Sequence, residues 1–175
     1  MSTLESCVIP NFLGALRQKL LDYVLSQEQN FRQATVSRGA SRAVIEGVRR
    51  ARVLESLGSF EGGFLERLER VAPIPPGRIE SQITASNHGD YFRLHQDGGP
   101  DDTREITFVY FLHGEPRPFS GGELKIRTNT MAPQGDTLIL FPSCSVHEVL
   151  PVEVPSRQFA HSRFTVNGWI HRRTD

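Results

Sequence analysis

The sequence is poor in cysteine and has no long apolar run, and each shortage narrows what the chain can be. Cys7 and Cys144 are its only thiols and lie far apart, so neither a disulfide framework nor a paired-cysteine metal site is available. Any metal must be held by histidine and carboxylate. No stretch approaches the roughly 20 apolar residues that span a bilayer. The opening Met-Ser-Thr-Leu-Glu-Ser has neither a basic region nor an apolar run, so no membrane or secretory segment is expected. A charge excess is missing too: 20 basic residues balance 20 acidic ones, which argues against nucleic acid as the main partner. The composition fits a reduced, cytoplasmic protein. With 175 residues, 38% of them apolar and 23% charged, a single globular domain is expected over 1–175.

No repeat interrupts the chain, which falls into two patterns. The N-terminal third reads as helical. Pro10-Asn11 offers a cap, and Phe12, Leu13, Leu16, Leu20, Leu21, Val24 and Leu25 follow at helical spacing. A second helix over 64–71 puts Phe64, Leu65, Leu68 and Val71 on one face and stops before Pro73. From Arg78 onward, short β-branched and aromatic runs at 79–85, 91–95, 106–112, 123–127, 137–141, 147–152 and 163–170 are separated by Gly, Pro, Asn and Asp. This predicts a mainly β protein with flanking α, residues 1–77 being helical support and 78–175 a sandwich or barrel.

The chemistry concentrates at Tyr91-Phe92-Arg93-Leu94-His95-Gln96-Asp97. On a strand, residues two apart share a side, so His95 and Asp97 face one way, with Arg93 and Tyr91 in the same register. Gly98-Gly99-Pro100 then ends the strand. His147, after the apolar run Thr137-Leu138-Ile139-Leu140-Phe141, can supply a third ligand. Two imidazoles and one carboxylate on one side of an ion leave three positions open, a geometry that suits non-haem Fe(II).

Six elements follow one another in order: His95-x-Asp97, Thr107-Phe108-Val109-Tyr110-Phe111-Leu112, Ser120-Gly121-Gly122-Glu123-Leu124, Gly135-Asp136 leading into the 137–141 run, His147-Glu148-Val149-x-Pro151-Val152, and Arg163-x5-Trp169. Together they resemble the prolyl 4-hydroxylase-like branch of the 2-oxoglutarate/Fe(II) oxygenases across residues 79–171. The resemblance implies a double-stranded β-helix (jelly roll) core with the N-terminal helices packed on one sheet. It implies Fe(II) held by His95, Asp97 and His147, 2-oxoglutarate as cosubstrate, ascorbate as reductant, and hydroxylation of an unactivated C–H bond with release of succinate and CO2. Asp97 favours hydroxylation, because related halogenases lack that carboxylate.

The far carboxylate of the oxoacid needs a cation, and arginine pairs with it bidentately. Arg163 is expected there rather than Arg157, because it lies in a strand-like run while Arg157 follows Pro155-Ser156 in a loop. Many relatives carry a tyrosine where Phe111 stands; Tyr110, turned inward by a bulge, or Thr107 or Thr165 would take over its hydroxyl. Arg93, Tyr91 and Gln82 are candidates for substrate contact, and the loops 37–52, 86–91 and 113–120 for substrate choice. Trp169 is expected in the core, His88, His113, His161 and His171 at the surface or in loops, and the arginines of 38–52 on a solvated face, with attraction of an acidic substrate as the alternative. The substrate implied is a prolyl residue in a protein or peptide, with a free amino acid or small metabolite as the alternative. Two other readings are a cupin-like metal-binding module that needs no Arg163, and a non-catalytic sandwich in which His95 and His147 coincide by chance.

Overall fold

Alternation along the long strands decides the architecture. In strand Arg104–Leu112, Ile106, Phe108, Tyr110 and Leu112 point one way and Thr107, Val109 and Phe111 the other. Strand Arg163–His171 repeats the pattern, with Phe164, Val166 and Ile170 opposite Arg163, Thr165, Asn167 and Trp169. The first set of each joins an apolar core beneath the helices, and the second faces an interior cavity.

The computed structural model describes residues 6–36 and 47–174 in full and 37–38 and 41–43 by their backbone. Expectations that fall on residues 1–5, on the side chains of Arg38 and Arg42, or on 39–40 and 44–46 lie outside the described residues. The long strands belong to a seven-stranded antiparallel sheet. Its order is Cys7–Pro10, Thr137–Pro142, Arg104–Leu112, Arg163–His171, Ile79–Ser86, Arg52–Leu54 and Arg32–Gln33. A five-stranded sheet, ordered Asn129–Met131, Leu124–Ile126, His147–Val149, Tyr91–His95 and Arg49–Arg50, covers the cavity face. The fold is mainly β with a jelly-roll core and helices on the outer face of the larger sheet. No described helix is long and apolar enough to cross a membrane.

Helix α1 (Leu16–Ser26) buries Leu20, Leu21 and Val24, and helix α2 (Glu61–Val71) buries Phe64 and Leu68. Each such side chain contributes about 1.5–3 kcal/mol. The Phe64 ring packs edge-on to Phe12 at 5.4 Å and to Tyr110 at 5.7 Å, so the helices meet the sheet through aromatic contacts. Gly168 lies on this face opposite Phe108, and a Cβ there would come within 1.8 Å of the Glu80 carbonyl oxygen. Only glycine allows strands that close.

Three expectations are corrected. First, Asn11 does not cap α1. It adopts φ 55, and the helix begins at Leu16. In the turn before the helix, the N–H groups of Leu13 and Gly14 donate to the two carboxylate oxygens of Asp136, at 2.8 and 2.9 Å, and Tyr110 Oη donates to the same carboxylate at 2.9 Å. Second, the N-terminal third is not wholly helical. Arg32–Gln33, Arg49–Arg50 and Arg52–Leu54 join the two sheets, and Val36–Arg38 pairs with Ser41–Ala43. Between Arg49–Arg50 and Arg52–Leu54 the chain passes from the small sheet to the large one through Ala51 alone. Third, the 147–152 run splits at Pro151, which has no N–H for a ladder. His147–Val149 pairs with Leu124–Ile126, and Val152–Glu153 pairs with Ser120–Gly121.

Asp136→Ala strands three donors at once and is expected to lower stability by about 3 kcal/mol, read from the shift in urea midpoint at unchanged slope. Tyr110→Phe removes one of those bonds and is expected to cost about 1 kcal/mol.

Candidate metal centre

His95 closes strand Tyr91–His95 and His147 opens strand His147–Val149, and the two stand opposite each other in the antiparallel ladder. The ladder holds one extra residue on the His95 side, because Val149 pairs with Phe92. That bulge breaks simple alternation and turns Phe92, not Arg93, to the face of His95. The Phe92 ring stacks on the His95 imidazole at 3.6 Å and 17°, and Phe141 packs edge-on to His147 at 4.8 Å. His95 Nδ1 donates to the Arg93 carbonyl at 2.7 Å and His147 Nδ1 to the Ser145 carbonyl at 2.9 Å. Each bond fixes the tautomer that leaves the Nε2 lone pair for a metal.

Asp97 lies two residues beyond the strand end, so strand parity does not place it. Its N–H and that of Gly98 both donate to the Ser143 carbonyl at 3.0 Å, which folds the carboxylate back toward the histidines. Asp97 Oδ1 is 3.5 Å from His95 Nε2, and Oδ2 is 3.3 Å from His147 Nε2. The three ligand atoms all lie within 4.8 Å of one another, the spacing of groups that surround one ion. Thr107 Oγ1 donates to Asp97 Oδ2 at 2.8 Å and lies 3.0 Å from Ser143 Oγ. Burial works to raise the Asp97 pKa, but the contacts and charges of His147 and His95 outweigh it and hold the carboxyl far below its usual range. It is an anion at neutral pH.

Arg163 closes the deep end of the cavity. It is 2% exposed, its Nε donates to the Gly122 carbonyl at 2.7 Å, and its guanidinium lies 5.0 Å from the Phe111 ring centre. Its Nη2 is buried with no partner among the described residues. Burial pushes its pKa down to about 10, against the charge of Glu123, so it is still a cation at neutral pH. A buried cation with an orphaned donor fits the distal carboxylate of an oxoacid. Gly122 makes this possible: at φ +70 it avoids backbone strain, and a Cβ there would meet Arg163 Cδ at 2.6 Å.

Thr165 stands directly opposite both Phe111 and Thr84 and lines the cavity. Asn167 Oδ1 accepts from the hydroxyls of Thr84, at 2.7 Å, and Thr165, at 3.1 Å. Tyr110, by contrast, is no cosubstrate contact. Pairing through 106–112 is continuous, so no bulge turns it inward, and it sits in the helix-side core with its hydroxyl on Asp136. Thr107 is likewise committed to Asp97.

The inner cavity, about 70 Å³, adjoins an outer groove of about 410 Å³ beside the triad; Arg49, Gln82, Phe92, His95, Asp97 and Trp169 line both. Tyr91 lines the inner one. Arg93 lines neither; the bulge leaves it exposed, over the Tyr91 ring at 4.8 Å. Trp169, expected in the core, lines the mouth with the Arg104 guanidinium 4.2 Å above it. His113 and His171 are buried rather than at the surface: the His113 nitrogens lie 2.9 and 3.1 Å from the Gly114 and Pro133 carbonyls, and His171 Nδ1 lies 2.6 Å from Thr103 Oγ1. Of the three loops expected to choose substrate, 113–120 lines neither cavity. Arg49, one of the 38–52 arginines, faces the site rather than open solvent, and sequence reasoning misses Phe92, Thr84, Asn167 and Ser143. Asn167 shares the face of Arg163 and Thr165, a signal that was available.

The sequence profile of the 2OG-Fe(II) oxygenase superfamily matches residues 81–171. An uncharacterised PKHD-type hydroxylase of Synechocystis sp. is 35% identical over 164 residues, covering 85% of this chain and 52% of that protein. The chain thus spans about half the length of the curated relatives it matches. Among solved structures, a Pseudomonas putida prolyl-4-hydroxylase superposes with TM-score 0.70 at 20% identity, covering 96% of this chain and 92% of that one. A Trichoplax adhaerens prolyl hydroxylase, in complex with a hypoxia inducible factor peptide fragment, gives 0.67 at 20% identity, covering 95% and 83%. At these identities the likeness establishes the fold.

Thr107→Val removes the hydroxyl that orients Asp97 and is expected to weaken Fe(II) binding about 10–100-fold, measured by anaerobic metal titration.

Proposed function

The chain belongs to the 2OG-Fe(II) oxygenase superfamily, and from that membership we propose that it hydroxylates an unactivated C–H bond, with His95, Asp97 and His147 holding Fe(II) and Arg163 holding 2-oxoglutarate. The observation that carries this reading is the unpaired Nη2 of buried Arg163 in the same cavity as the triad. A cupin-like module without an oxoacid has no use for that cation, and a sandwich with chance histidines has none for Nε2 atoms aimed at one carboxylate. Once bound, Fe(II), 2-oxoglutarate and O2 supply an oxidant that turns C–H into C–OH with release of succinate and CO2.

The protein's own groups divide the remaining work. Arg163 anchors and orients the oxoacid. The Thr165 hydroxyl, freed by a small rotation from its 3.1 Å bond to Asn167, takes the role that a tyrosine at Phe111 would have. Val109, Leu124 and Val149 line the inner cavity with apolar surface and limit water there. Tyr91 and Gln82, on the cavity wall, meet the substrate. A prolyl residue in a peptide or protein is the substrate reading favoured by the likeness to prolyl hydroxylase structures; a free amino acid is the alternative. We assign ascorbate as reductant, a cytoplasmic setting and no nucleic-acid partner, the last on the neutral charge. We treat 1–175 as one oxygenase domain whose N-terminal part also walls the cavity through Arg49 and Ala51.

Anaerobic protein given Fe(II) and 2-oxoglutarate is expected to show the weak visible charge-transfer band of the chelate, lost in His95→Ala and Asp97→Ala. Its absence from the unmodified protein at saturating cosubstrate would sink the assignment. Arg163→Ala is expected to raise the 2-oxoglutarate Kd about 100-fold, as loss of a charge-assisted pair implies.

A further inference from the structure

The cavity wall near the triad carries a side chain that no other part of the fold uses. Gln82 stands on strand Ile79–Ser86 opposite Asn167 and lines both the inner cavity and the outer groove. Its Nε2 is shut off from solvent and has no partner, and its amide oxygen makes no hydrogen bond among the described residues. Folded chains keep few buried donors unpaired, because each forfeits the bond it had with water. Thr84 and Thr165 turn their hydroxyls to Asn167, and neither oxygen accepts from Gln82. On the adjacent strand Trp169 Nε1 is also buried and unpaired.

A carboxamide offers one donor group and one acceptor whichever way its ends are turned. Its complement is a group holding both, side by side. An alkyl chain has neither, an ammonium group only donates, and a carboxylate only accepts. An amide has both.

We propose that Gln82 determines specificity by pairing with a substrate amide, donating to its C=O and accepting from its N–H, beside the carbon brought to the triad, while the Trp169 indole N–H takes a neighbouring carbonyl. This selects a peptide chain over a free amino acid, whose charged ammonium and carboxylate would lose water there and gain only an uncharged partner. The outer groove that continues from Gln82, about 410 Å³ against about 70 Å³ for the inner cavity, leaves room for residues flanking the one that is oxidised. The proposal rests on the oxygenase reading above, but it fails separately from it.

The test follows succinate release with three sets of probes: pooled N-acetylated, C-amidated hexapeptides; the free amino acids; and esters of the best hexapeptide, with the amide on either side of the oxidised residue replaced by an ester. The unmodified enzyme is expected to use the blocked peptides and not the free amino acids, and to lose about tenfold in kcat/KM on one ester replacement, the worth of one hydrogen bond. Gln82→Leu should lose about 10–100-fold on the parent peptide, and its preference for amide over ester should fall to near one. Gln82→Glu keeps the acceptor, so it should retain part of that preference. The charge-transfer band of the Fe(II) chelate reports in each variant whether the site is intact; if Gln82→Leu loses it, Gln82→Glu carries the comparison. An unchanged amide-to-ester ratio in these variants, preferred use of free amino acids, or no use of either set by protein that shows the band would overturn the proposal. Loss of the band in the unmodified protein instead overturns the oxygenase reading.

Discussion

The seven-stranded sheet presents one apolar face to the helices and one of mixed polar and apolar side chains to the site, and both are written in alternate residues of the same strands. Strand Arg104–Leu112 runs through its middle. Phe108 and Tyr110 lie under α2 while Thr107 and Val109, one residue away from each, hold Asp97 and line the cavity. A slip of one residue would exchange the two sets. The register that buries the core is therefore the register that aims the ligands. Asp136 reinforces it from the outside, joining the turn before α1 to Tyr110.

Arg163 shows what the site face costs. Burying a cation without a counter-ion is unfavourable, and the fold compensates with one carbonyl, that of Gly122, and one aromatic face, that of Phe111. The remaining nitrogen is left for an anion. Binding and folding are then coupled, since any anion that pairs with Arg163 in the folded chain alone shifts the folding equilibrium in its favour. The depressed pKa of the guanidinium has the same origin in burial.

Much of this is legible in the sequence, for identifiable reasons. Strand Tyr91–His95 and the bounds of Arg163–His171 to within one residue follow from runs that turn residues interrupt. His95, Asp97 and His147 carry chemistry in their residue types, and the structure gathers them. The helices α1 and α2 are visible in apolar spacing, but what holds the turn before α1 is not, because Asp136 lies more than 120 residues from Leu13. Tyr110 can reach the cavity only through a bulge, and the ladder there is continuous; Arg93 leaves the face of His95 because the bulge that does exist lies next to it. Two-residue strands such as Arg49–Arg50 are too short to show a period. Buried histidines such as His113 give no signal, since their partners are backbone carbonyls that every residue has.

The crossing at Ala51 limits how this site can diversify. The residues before it are registered to the small sheet and those after it to the large one, with a single residue between. The gap on that side of the cavity is thus bridged by a fixed length of backbone. An insertion there would have to be absorbed by two ladders at once, whereas a loop tethered at one sheet can lengthen freely. Over evolutionary time this wall can be repainted, by exchanging what stands at position 49, but it cannot be moved.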